Sequence, residues 1–228
     1  MNNCLSVIIP CFNEEKTIHD LILEVLRQKS VYEVIIIDDC STDRSYEIIK
    51  KIKNSKIKLF RNEKNFGKGA SVRRGFEHAG AKYVIIQDAD LEYSPTEYER
   101  LLKPLVEGYA DAVFGSRFLT YESRRAIYYW HSMGNKLLTF LSNAFTNIYL
   151  TDMETCYKLM RLEYAKKLNI QENRFGIEPE ITAKLAKMNA RIYEVAISYK
   201  GRTYAEGKKI TWRDGISAIR CILKYNFF

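Results

Sequence analysis

The chain has 228 residues, 46% hydrophobic and 28% charged, which is enough to bury one large core, so we expect a single domain. Its formal net charge is +8, and its five cysteines are scattered without a Cys-x-x-Cys pair, which argues against a zinc or disulfide framework and favours reduced thiols in the cytoplasm. No signal peptide is predicted, and no apolar run approaches the roughly 20 residues of a membrane-spanning helix.

A strand and a helix open the chain. Residues 4–10 read as a strand, and apolar residues at helical spacing predict a helix over residues 14–29. The turn between them reads PCFNEE and lacks a Gly-x-Gly-x-x-Gly pattern. A dinucleotide-binding Rossmann enzyme is therefore disfavoured, because those glycines allow the backbone to approach a pyrophosphate.

Two further strands and two helices follow. A buried strand over residues 32–37 ends at Asp38 and Asp39, and a helix after Asp43 leads to a third strand over residues 57–60. The glycine-bearing loop over residues 62–70 then opens a helix that runs to about residue 79. Lys68 near this helix start favours an anion. The alternative, that the glycines simply end a turn, stays open.

The fourth strand leads into the acidic pair of the sequence. Residues 82–87 are rich in β-branched side chains, and Asp88 and Asp90 follow with the small Ala89 between them. Two such carboxylates repel each other unless a cation lies between them, and oxygen ligands suit Mg²⁺ or Mn²⁺ carrying a diphosphate. A solvated acidic turn is the alternative interpretation.

A helix beginning at Ser94 and a fifth strand over residues 110–115 complete the first half, and this strand ends at Arg117. Alternating strands and helices predict a doubly wound α/β domain with a mostly parallel central sheet flanked by helices. Ligands of such sheets bind beyond the carboxyl ends of the strands. Asp39, Asp88, Asp90 and Arg117 are therefore expected to converge on one crevice.

The second half carries two helical segments, 126–150 and 210–228, that are rich in aromatic and aliphatic residues. Between residues 191 and 228, eight basic residues outnumber three acidic ones. A basic amphipathic helix is typical of an anchor on an anionic membrane surface. Packing of both helices onto the sheet, or a homodimer interface, is the alternative, and the charge alone also fits an ordinary basic surface.

Several motifs, taken in order, resemble the family 2 glycosyltransferases with a GT-A nucleotide-sugar domain. They are PCFNEE, the strand end at Asp38 and Asp39, NFGKGASVRRG, QDAD and GSR. The later segments TDMETCYKLMR, RFGIEPEITAKLAK and YKGRTYAEGKKITWRDG continue the resemblance over nearly the whole chain. The subgroup of polyprenyl-phosphate (dolichol-phosphate) sugar synthases is more similar still.

The resemblance implies one GT-A domain over residues 1–228, with a nucleotide-sugar-binding half (1–118) and an acceptor half (119–228) that ends in a basic helix. It implies an inverting transfer, dependent on Mg²⁺ or Mn²⁺, from a UDP- or GDP-linked sugar to a polyprenyl phosphate such as dolichyl or undecaprenyl phosphate. We expect a cytoplasmic protein with peripheral contact to the cytoplasmic face of the membrane, and no nucleic-acid partner. A homodimer stays open.

The resemblance also implies roles for individual residues. The nucleoside is expected at Pro10, Phe12, Glu14, Ile37 and Asp39. The cation and the diphosphate are expected at Asp88, Ala89, Asp90 and Glu92, where Glu92 replaces the glutamine of the best-known synthases. Phosphates are expected at Arg117, Arg202 and Lys208, in addition to the anion expected at Lys68 from its place at a helix start. Arginine grips a phosphate through two nitrogens whereas lysine acts as a point charge, so the mixture suits a leaving diphosphate beside an acceptor phosphate.

The mechanism depends on the acceptor. A lipid phosphate is already ionised near neutral pH, so positioning and charge neutralisation suffice, with Asp90 and Arg117 as the central residues. A sugar hydroxyl needs a general base. The candidates for that base are Asp152, Glu154, Glu178 and Glu180, among which Asp152 and Glu180 are the leading ones. Each also has a structural interpretation, as a turn residue or as an acidic residue near a helix N-terminus.

Two alternative functions differ in class from lipid-phosphate glycosylation. The first is a transferase that acts on a saccharide hydroxyl in the synthesis of a surface polysaccharide. The second is a noncatalytic basic binding protein. A sugar-nucleotide pyrophosphorylase is disfavoured because its glycine-rich entry loop is missing. The sequence leaves open which sugar and which base the donor carries.

Overall fold

The computed structural model describes residues 1–119, 128–202 and 212–227. This part of the chain contains one seven-stranded sheet with the order β3-β2-β1-β4-β6-β5-β7. The strands are β1 (Leu5–Cys11), β2 (Val31–Asp38), β3 (Ile57–Arg61), β4 (Tyr83–Ile86), β5 (Ala112–Ser116), β6 (Lys158–Arg161) and β7 (Ile192–Ala196). The helices are α1 (Ile18–Leu26), α2 (Ser45–Lys51), α3 (Lys68–His78), α4 (Tyr98–Val106), α5 (Tyr129–Thr146), α6 (Leu162–Lys167), α7 (Ile177–Lys187) and α8 (Trp212–Phe227).

Strands β1, β2 and β4 form the centre of the sheet. β1 pairs in parallel with both neighbours, so that Val7 lies between Val34 and Ile85 in register. Their apolar side chains are buried on both faces, as expected for parallel strands that helices cover on both sides. The five strands predicted from the sequence are confirmed to within two residues, as is the mostly parallel α/β class.

Strands β6 and β7 were not predicted. β6 has only four residues and no alternation of polar and apolar side chains, so periodicity gives no signal for it. It runs antiparallel to both β4 and β5. Because both neighbours are antiparallel to β6, β4 and β5 point in the same direction, and their carboxyl ends lie at the same edge of the sheet as those of β1 and β2.

Helix α1 is shorter than the predicted span of 14–29. The residues before it are held by the start of α2, because the backbone N–H of Glu14 donates to Ser45 Oγ (2.8 Å) and that of Glu15 to Asp43 Oδ2 (3.1 Å). Side-chain acceptors thus satisfy N–H groups that would otherwise enter a helix. The turn after β1 is thereby fixed against the turn after β2.

Helices α5, α7 and α8 pack against one another beside the sheet. Gly176 lies where an added Cβ would meet Cys221 Sγ at 2.4 Å, and the rings of Phe145 and Phe227 meet edge to face at 5.0 Å. Both predicted C-terminal helices are observed, although residues 126–127, 210–211 and 228 lie outside the described part. Among the described residues, no helix combines the length and the apolar character that crossing a bilayer requires.

Candidate active site

A charged crevice lies beyond the carboxyl ends of β1, β2, β4 and β5. Asp38 ends β2, Asp88 and Asp90 follow β4, and Arg117 follows Ser116 at the end of β5. As in other open α/β sheets, polar groups from separate strands meet at this edge because the strands are parallel.

Lys68 joins two carboxylates at one side of the crevice. Its ammonium lies 2.9 Å from Asp88 Oδ1 and 2.9 Å from Glu178 Oε1. Burial alone would lower the pKa of Lys68, but these carboxylates outweigh it and raise the pKa well above its usual range. Lys68 therefore stays charged and carries two anionic partners already.

The start of α3 is packed tightly against the chain before α7. Gly67 has φ of +99°, and a Cβ there would meet the carbonyl oxygen of Asn173 at 2.4 Å. At Gly69 a Cβ would meet the carbonyl oxygen of Glu172 at 2.0 Å. These glycines thus allow close backbone packing that delivers Lys68 to the crevice.

Arg202 joins three carboxylates at the other side of the crevice. Its Nη2 lies 2.5 Å from Asp90 Oδ2, its Nη1 3.2 Å from Glu14 Oε2, and its Nε 3.1 Å from Glu92 Oε1. Burial opposes the charge of Arg202, but the carboxylates outweigh burial and raise the pKa of this guanidinium. One positive charge thus faces three negative ones.

Glu92 is bound to the segment that carries Arg202. Its Oε2 accepts a hydrogen bond from Tyr199 Oη (2.6 Å), and its Oε1 accepts one from the backbone N–H of Arg202 (2.9 Å). Its own carbonyl oxygen accepts the N–H of Lys200 (2.9 Å). In this structure both carboxylate oxygens of Glu92 are therefore engaged by residues 199–202.

The excess of negative charge affects the pKa of Asp90. Burial, followed by the negative charges of Asp88 and Glu92, raises the pKa of Asp90 to about 7, although Arg202 opposes the shift. Within the described ranges, no group of three or more His, Cys, Asp or Glu side chains is arranged to hold a metal ion by itself. The oxygen donors and the excess negative charge are nevertheless those that a hard divalent cation prefers.

Arg117 lies in a separate, balanced pocket. Its Nε and Nη2 donate to the two oxygens of Asp152 at 2.6 and 2.7 Å, and its backbone N–H donates to the same carboxylate at 3.0 Å. Asn135 on α5 donates a further bond to Asp152 at 3.1 Å. Arg117 lies over the ring of Tyr199 (5.2 Å), the residue that contacts Glu92, so the two pockets adjoin.

The four candidate bases fall into two groups. Asp152 is committed to Arg117, and Glu180 accepts the N–H groups of Gln171 and Glu172 as well as the ammonium of Lys184. Glu154 and Glu178 each keep one buried oxygen without a partner among the described residues. Burial, followed by the charge of Glu178, raises the pKa of Glu154 to about 8.

The remaining predicted nucleoside residues lie around the ends of β1 and β2. Asp39 accepts the backbone N–H groups of Phe66 (3.0 Å) and Gly67 (2.7 Å), so it holds the loop that leads to Lys68. Ile37 is fully buried, so only its backbone can reach a ligand. Pro10 and Phe12 are half-buried in the turn after β1. Lys208 lies outside the described residues.

Sequence reasoning missed three residues of the site. Thr17 donates to the carbonyl oxygen of Ala89 at 3.0 Å, and Tyr199 and Asn135 hold Glu92 and Asp152 as described above. The only signal for Tyr199 was its position directly before the KGR motif. Thr17 and Asn135 lie in ordinary helical contexts, and only the tertiary structure brings them to the crevice.

Comparison with known proteins identifies the family. The model of glycosyl transferase family 2 matches residues 6–168. An uncharacterized protein of Methanocaldococcus jannaschii is 31% identical over 222 residues, which cover 89% of this chain and 93% of the relative. The undecaprenyl-phosphate 4-deoxy-4-formamido-L-arabinose transferase of Aeromonas hydrophila is 28% identical, and the match covers 91% of this chain and 64% of that enzyme, just under two thirds of its length.

Among solved structures, the glucosyl-3-phosphoglycerate synthase of Mycobacterium tuberculosis, in complex with Mn²⁺, UDP and glucosyl-3-phosphoglycerate, superposes with a TM-score of 0.74. The match covers 98% of this chain and 80% of that chain at 18% identity, which establishes a shared fold. The resemblance noted in the sequence is thereby confirmed. The chain belongs to glycosyl transferase family 2 and is a glycosyltransferase with the GT-A fold.

Proposed function

We propose that this glycosyltransferase moves a sugar, with inversion, from a nucleoside diphosphate to the phosphate of a polyprenyl lipid. One observation carries the proposal: a carboxylate cluster that calls for a cation adjoins the Arg117 pocket, and helix α5, whose outer face is apolar and exposed, contacts that pocket. Asn135 links these parts, because it lies on α5 and donates to the Asp152 carboxylate that holds Arg117. The order of the parts matches a diphosphate, an acceptor phosphate and a lipid chain.

Residues 1–118 hold the donor in this proposal. Pro10, Phe12 and Asp39 surround the nucleoside at the ends of β1 and β2. The oxygens of Asp88 and Asp90 would hold the divalent cation, beside the carboxylate of Glu92. A cation bound there would supply the positive charge that neutralises the leaving diphosphate. The UDP- and Mn²⁺-bound structure of the mycobacterial synthase and the excess of carboxylates in this crevice both support the assignment.

Residues from 119 onward, with Arg117, hold the acceptor. Arg117 is fixed by Asp152 with its guanidinium plane over Tyr199, so it presents a positioned charge to the attacking phosphate. A phosphate is already ionised and requires no base. The full engagement of the Asp152 and Glu180 oxygens is consistent with a mechanism in which neither residue takes a proton. Asp152 then acts as a positioning residue.

The lipid part of the acceptor is assigned to the surface of α5 and α8. Trp130 is 81% exposed and Phe140 66% exposed on α5, and Ile216 and Leu223 are exposed on α8. The α8 surface also carries Arg220 and Lys224. An apolar helix face with basic residues suits peripheral contact with an anionic membrane at the cytoplasmic face. The name of the Aeromonas relative, an undecaprenyl-phosphate transferase, supports a lipid-phosphate acceptor.

A saccharide hydroxyl is the second candidate acceptor. One observation favours it: Glu154 and Glu178 each carry a buried carboxylate oxygen without a partner among the described residues, and the ionised form of such a carboxyl can accept a hydroxyl proton. If this alternative holds, Glu154→Gln or Glu178→Gln abolishes transfer.

The acceptors are distinguished by incubating the protein with Mn²⁺, UDP- or GDP-linked sugars and either undecaprenyl phosphate in detergent or a set of oligosaccharides. We expect sugar only in the lipid-extractable product, with inverted anomeric configuration by NMR, and retained activity in Glu154→Gln. The matched control is Asp20→Asn, an exposed carboxylate on α1 that should change nothing. Transfer to oligosaccharides but not to lipid phosphate would overturn the lipid assignment.

A further inference from the structure

The guanidinium of Arg202 occupies the centre of the carboxylate cluster. It contacts Asp90, Glu14 and Glu92 through three different nitrogens, and its side chain is only 21% exposed. These carboxylates belong to two separate parts of the chain, namely the turn after β1, with Glu14, and the segment after β4, with Asp90 and Glu92. A single side chain thus supplies the positive charge that a bound divalent cation would otherwise supply.

Arg202 and a cation compete for the same oxygen. Asp90 Oδ2 is bound by Arg202, and Asp90 Oδ1 accepts the backbone N–H of Glu92 at 3.1 Å. A metal ion that takes Asp90 Oδ2 must displace the guanidinium. Loss of Asp90 breaks the shortest of the three ion pairs of this largely buried guanidinium and leaves it with Glu14 and Glu92. Displacement is therefore easier when another anion takes the place of Asp90 beside Arg202.

A diphosphate is the anion that fits this requirement. The donor arrives with a metal ion, and it carries oxygens that a guanidinium binds through two nitrogens. If Arg202 exchanges the Asp90 carboxylate for a diphosphate oxygen, the guanidinium stays paired. Asp90 is then free to bind the metal.

We propose that Arg202 is an internal counter-ion that keeps the carboxylate cluster closed to metal ions until a nucleoside diphosphate arrives. The inference rests on the proposed donor class and adds a rule for its binding. The metal and the diphosphate bind together, because the diphosphate receives Arg202 while the metal takes the Asp90 carboxylate that Arg202 leaves. Thermodynamic reciprocity then requires that the diphosphate strengthen metal binding by the same factor as the metal strengthens diphosphate binding.

The backbone beside Arg202 is fixed, so the exchange is a movement of its side chain. Glu92 holds this backbone through the N–H groups of Lys200 and Arg202 and through Tyr199 Oη. A short side-chain rotation suffices, because the guanidinium starts in contact with the carboxylate that the metal takes.

The test is calorimetric titration of Mn²⁺ into the full chain, with and without UDP or GDP, in the wild type and in Arg202→Gln. We expect the wild type to bind Mn²⁺ alone weakly and to bind it much more tightly with the nucleotide. Arg202→Gln should bind Mn²⁺ alone about tenfold more tightly than the wild type, since a positive charge leaves the site. The gain in Mn²⁺ affinity on adding nucleotide should shrink in this variant.

Lys200→Gln is the matched control. It removes the same charge two residues away, but its side chain is exposed and only its backbone contacts Glu92. It should bind Mn²⁺ as the wild type does. If both variants gain affinity equally, the effect is general electrostatics and the proposal is wrong. It is also wrong if Arg202→Gln, folded by thermal melting, gains no affinity for Mn²⁺ alone.

A spectroscopic readout follows the guanidinium itself. In ¹⁵N-labelled protein the Nε–H signal of Arg202 should shift when Mg²⁺ and a nucleoside diphosphate are added together, but not when Mg²⁺ is added alone. A shift with Mg²⁺ alone would contradict the paired binding. Failure of the wild type to bind any nucleotide would instead remove the proposed donor class, so the two failures are distinguishable.

Discussion

Two arginines in one crevice show opposite charge balances. Arg117 meets one carboxylate, Asp152, through three hydrogen bonds, and that carboxylate is fully buried. Arg202 meets three carboxylates through contacts of 2.5 to 3.4 Å and remains partly exposed. The first pair is neutral and complete, whereas the second group carries excess negative charge.

This difference distinguishes the Arg117–Asp152 pair, which holds its arginine in place, from the Arg202 group, which is suited to bind a ligand. A buried ion pair with full hydrogen bonding gains nothing from a further cation, so the Arg117 pocket is stable as it stands. A cluster with unbalanced carboxylates is costly as it stands, so its single counter-ion can be exchanged when ligands bind. In the proposed function, the site thus combines a fixed charge for one phosphate with a charge that can be exchanged for another.

The largest effect is expected from Arg117→Ala. It leaves the buried Asp152 without its partner, which should lower the free energy of unfolding by about 3–5 kcal/mol. Arg202→Ala should cost less, about 2 kcal/mol. Asp90, whose pKa is already raised to about 7, can take up a proton when the guanidinium leaves, and Glu92 keeps its hydrogen bonds to Tyr199 and to the backbone N–H of residue 202. Urea denaturation of both variants checks this contrast. Equal losses would show that the two pockets do not differ as described.

A smaller effect is expected from Glu154→Gln, and it depends on pH. The pKa of Glu154 is raised to about 8, so the folded state keeps a proton that the unfolded state loses above its ordinary pKa. Wild-type stability should therefore fall as the pH rises from about 5 to about 8, by on the order of 2 kcal/mol from this group. The variant should lose this part of the slope in urea denaturation at several pH values.

The control for that slope is Glu163→Gln on the exposed side of α6, which should leave the pH dependence unchanged. If Glu154→Gln retains the full wild-type slope, the carboxyl of Glu154 is ionised throughout this range. The buried oxygen would then have a partner that the described residues do not supply.

The sequence predicted the alternating strands and helices of the first half of the fold. Apolar runs such as those of β1 and β4 are buried on both faces, so composition alone indicates them, and strand ends locate Asp88, Asp90 and Arg117 without further information. β6 could not be predicted in this way, because its place between β4 and β5 depends on long-range pairing.

The sequence likewise could not predict which charged side chains form ion pairs with one another. Arg202 and Asp90 are separated by 112 positions, and Lys68 and Glu178 join only where α3 packs on the chain before α7. The sequence indicated phosphate ligands at Lys68 and Arg202 but gave no sign that carboxylates already hold them. Residue types report chemistry, whereas the partner of each charge is set by tertiary structure.

A third prediction concerns the Arg202 group in the absence of metal. The raised pKa of Asp90, about 7, reflects burial and neighbouring negative charge, so its ionised form destabilises the fold as the pH rises through that value. Asp90→Asn should therefore stabilise the protein above about pH 7.5, by about 1 kcal/mol in thermal or urea denaturation without metal. Asp152→Asn, in the balanced pocket, should destabilise it. Destabilisation by both substitutions would contradict the excess of charge at Arg202.

The smallest effect is expected at the exposed face of α5. Replacing Leu137 and Phe140 with serine should weaken binding to anionic lipid vesicles about threefold, because each side chain contributes apolar area to the interface. Nucleotide binding should not change, since neither residue contacts the crevice. Vesicle sedimentation measures the effect, and Tyr109→Ser, an exposed aromatic residue between α4 and β5, is the control. Undiminished sedimentation of the double variant would remove this face from the proposed membrane contact.

In the proposed function, the carboxylate cluster receives a divalent cation together with a nucleoside diphosphate. The most direct measurement is calorimetric titration of UDP and of GDP into the wild type and Asp90→Asn, each with Mn²⁺ and with EDTA. We predict that one nucleotide binds the wild type in Mn²⁺, at least tenfold more weakly in EDTA, and that Asp90→Asn removes the dependence on metal. Equal nucleotide binding with Mn²⁺ and EDTA, unaffected by Asp90→Asn, would contradict the account.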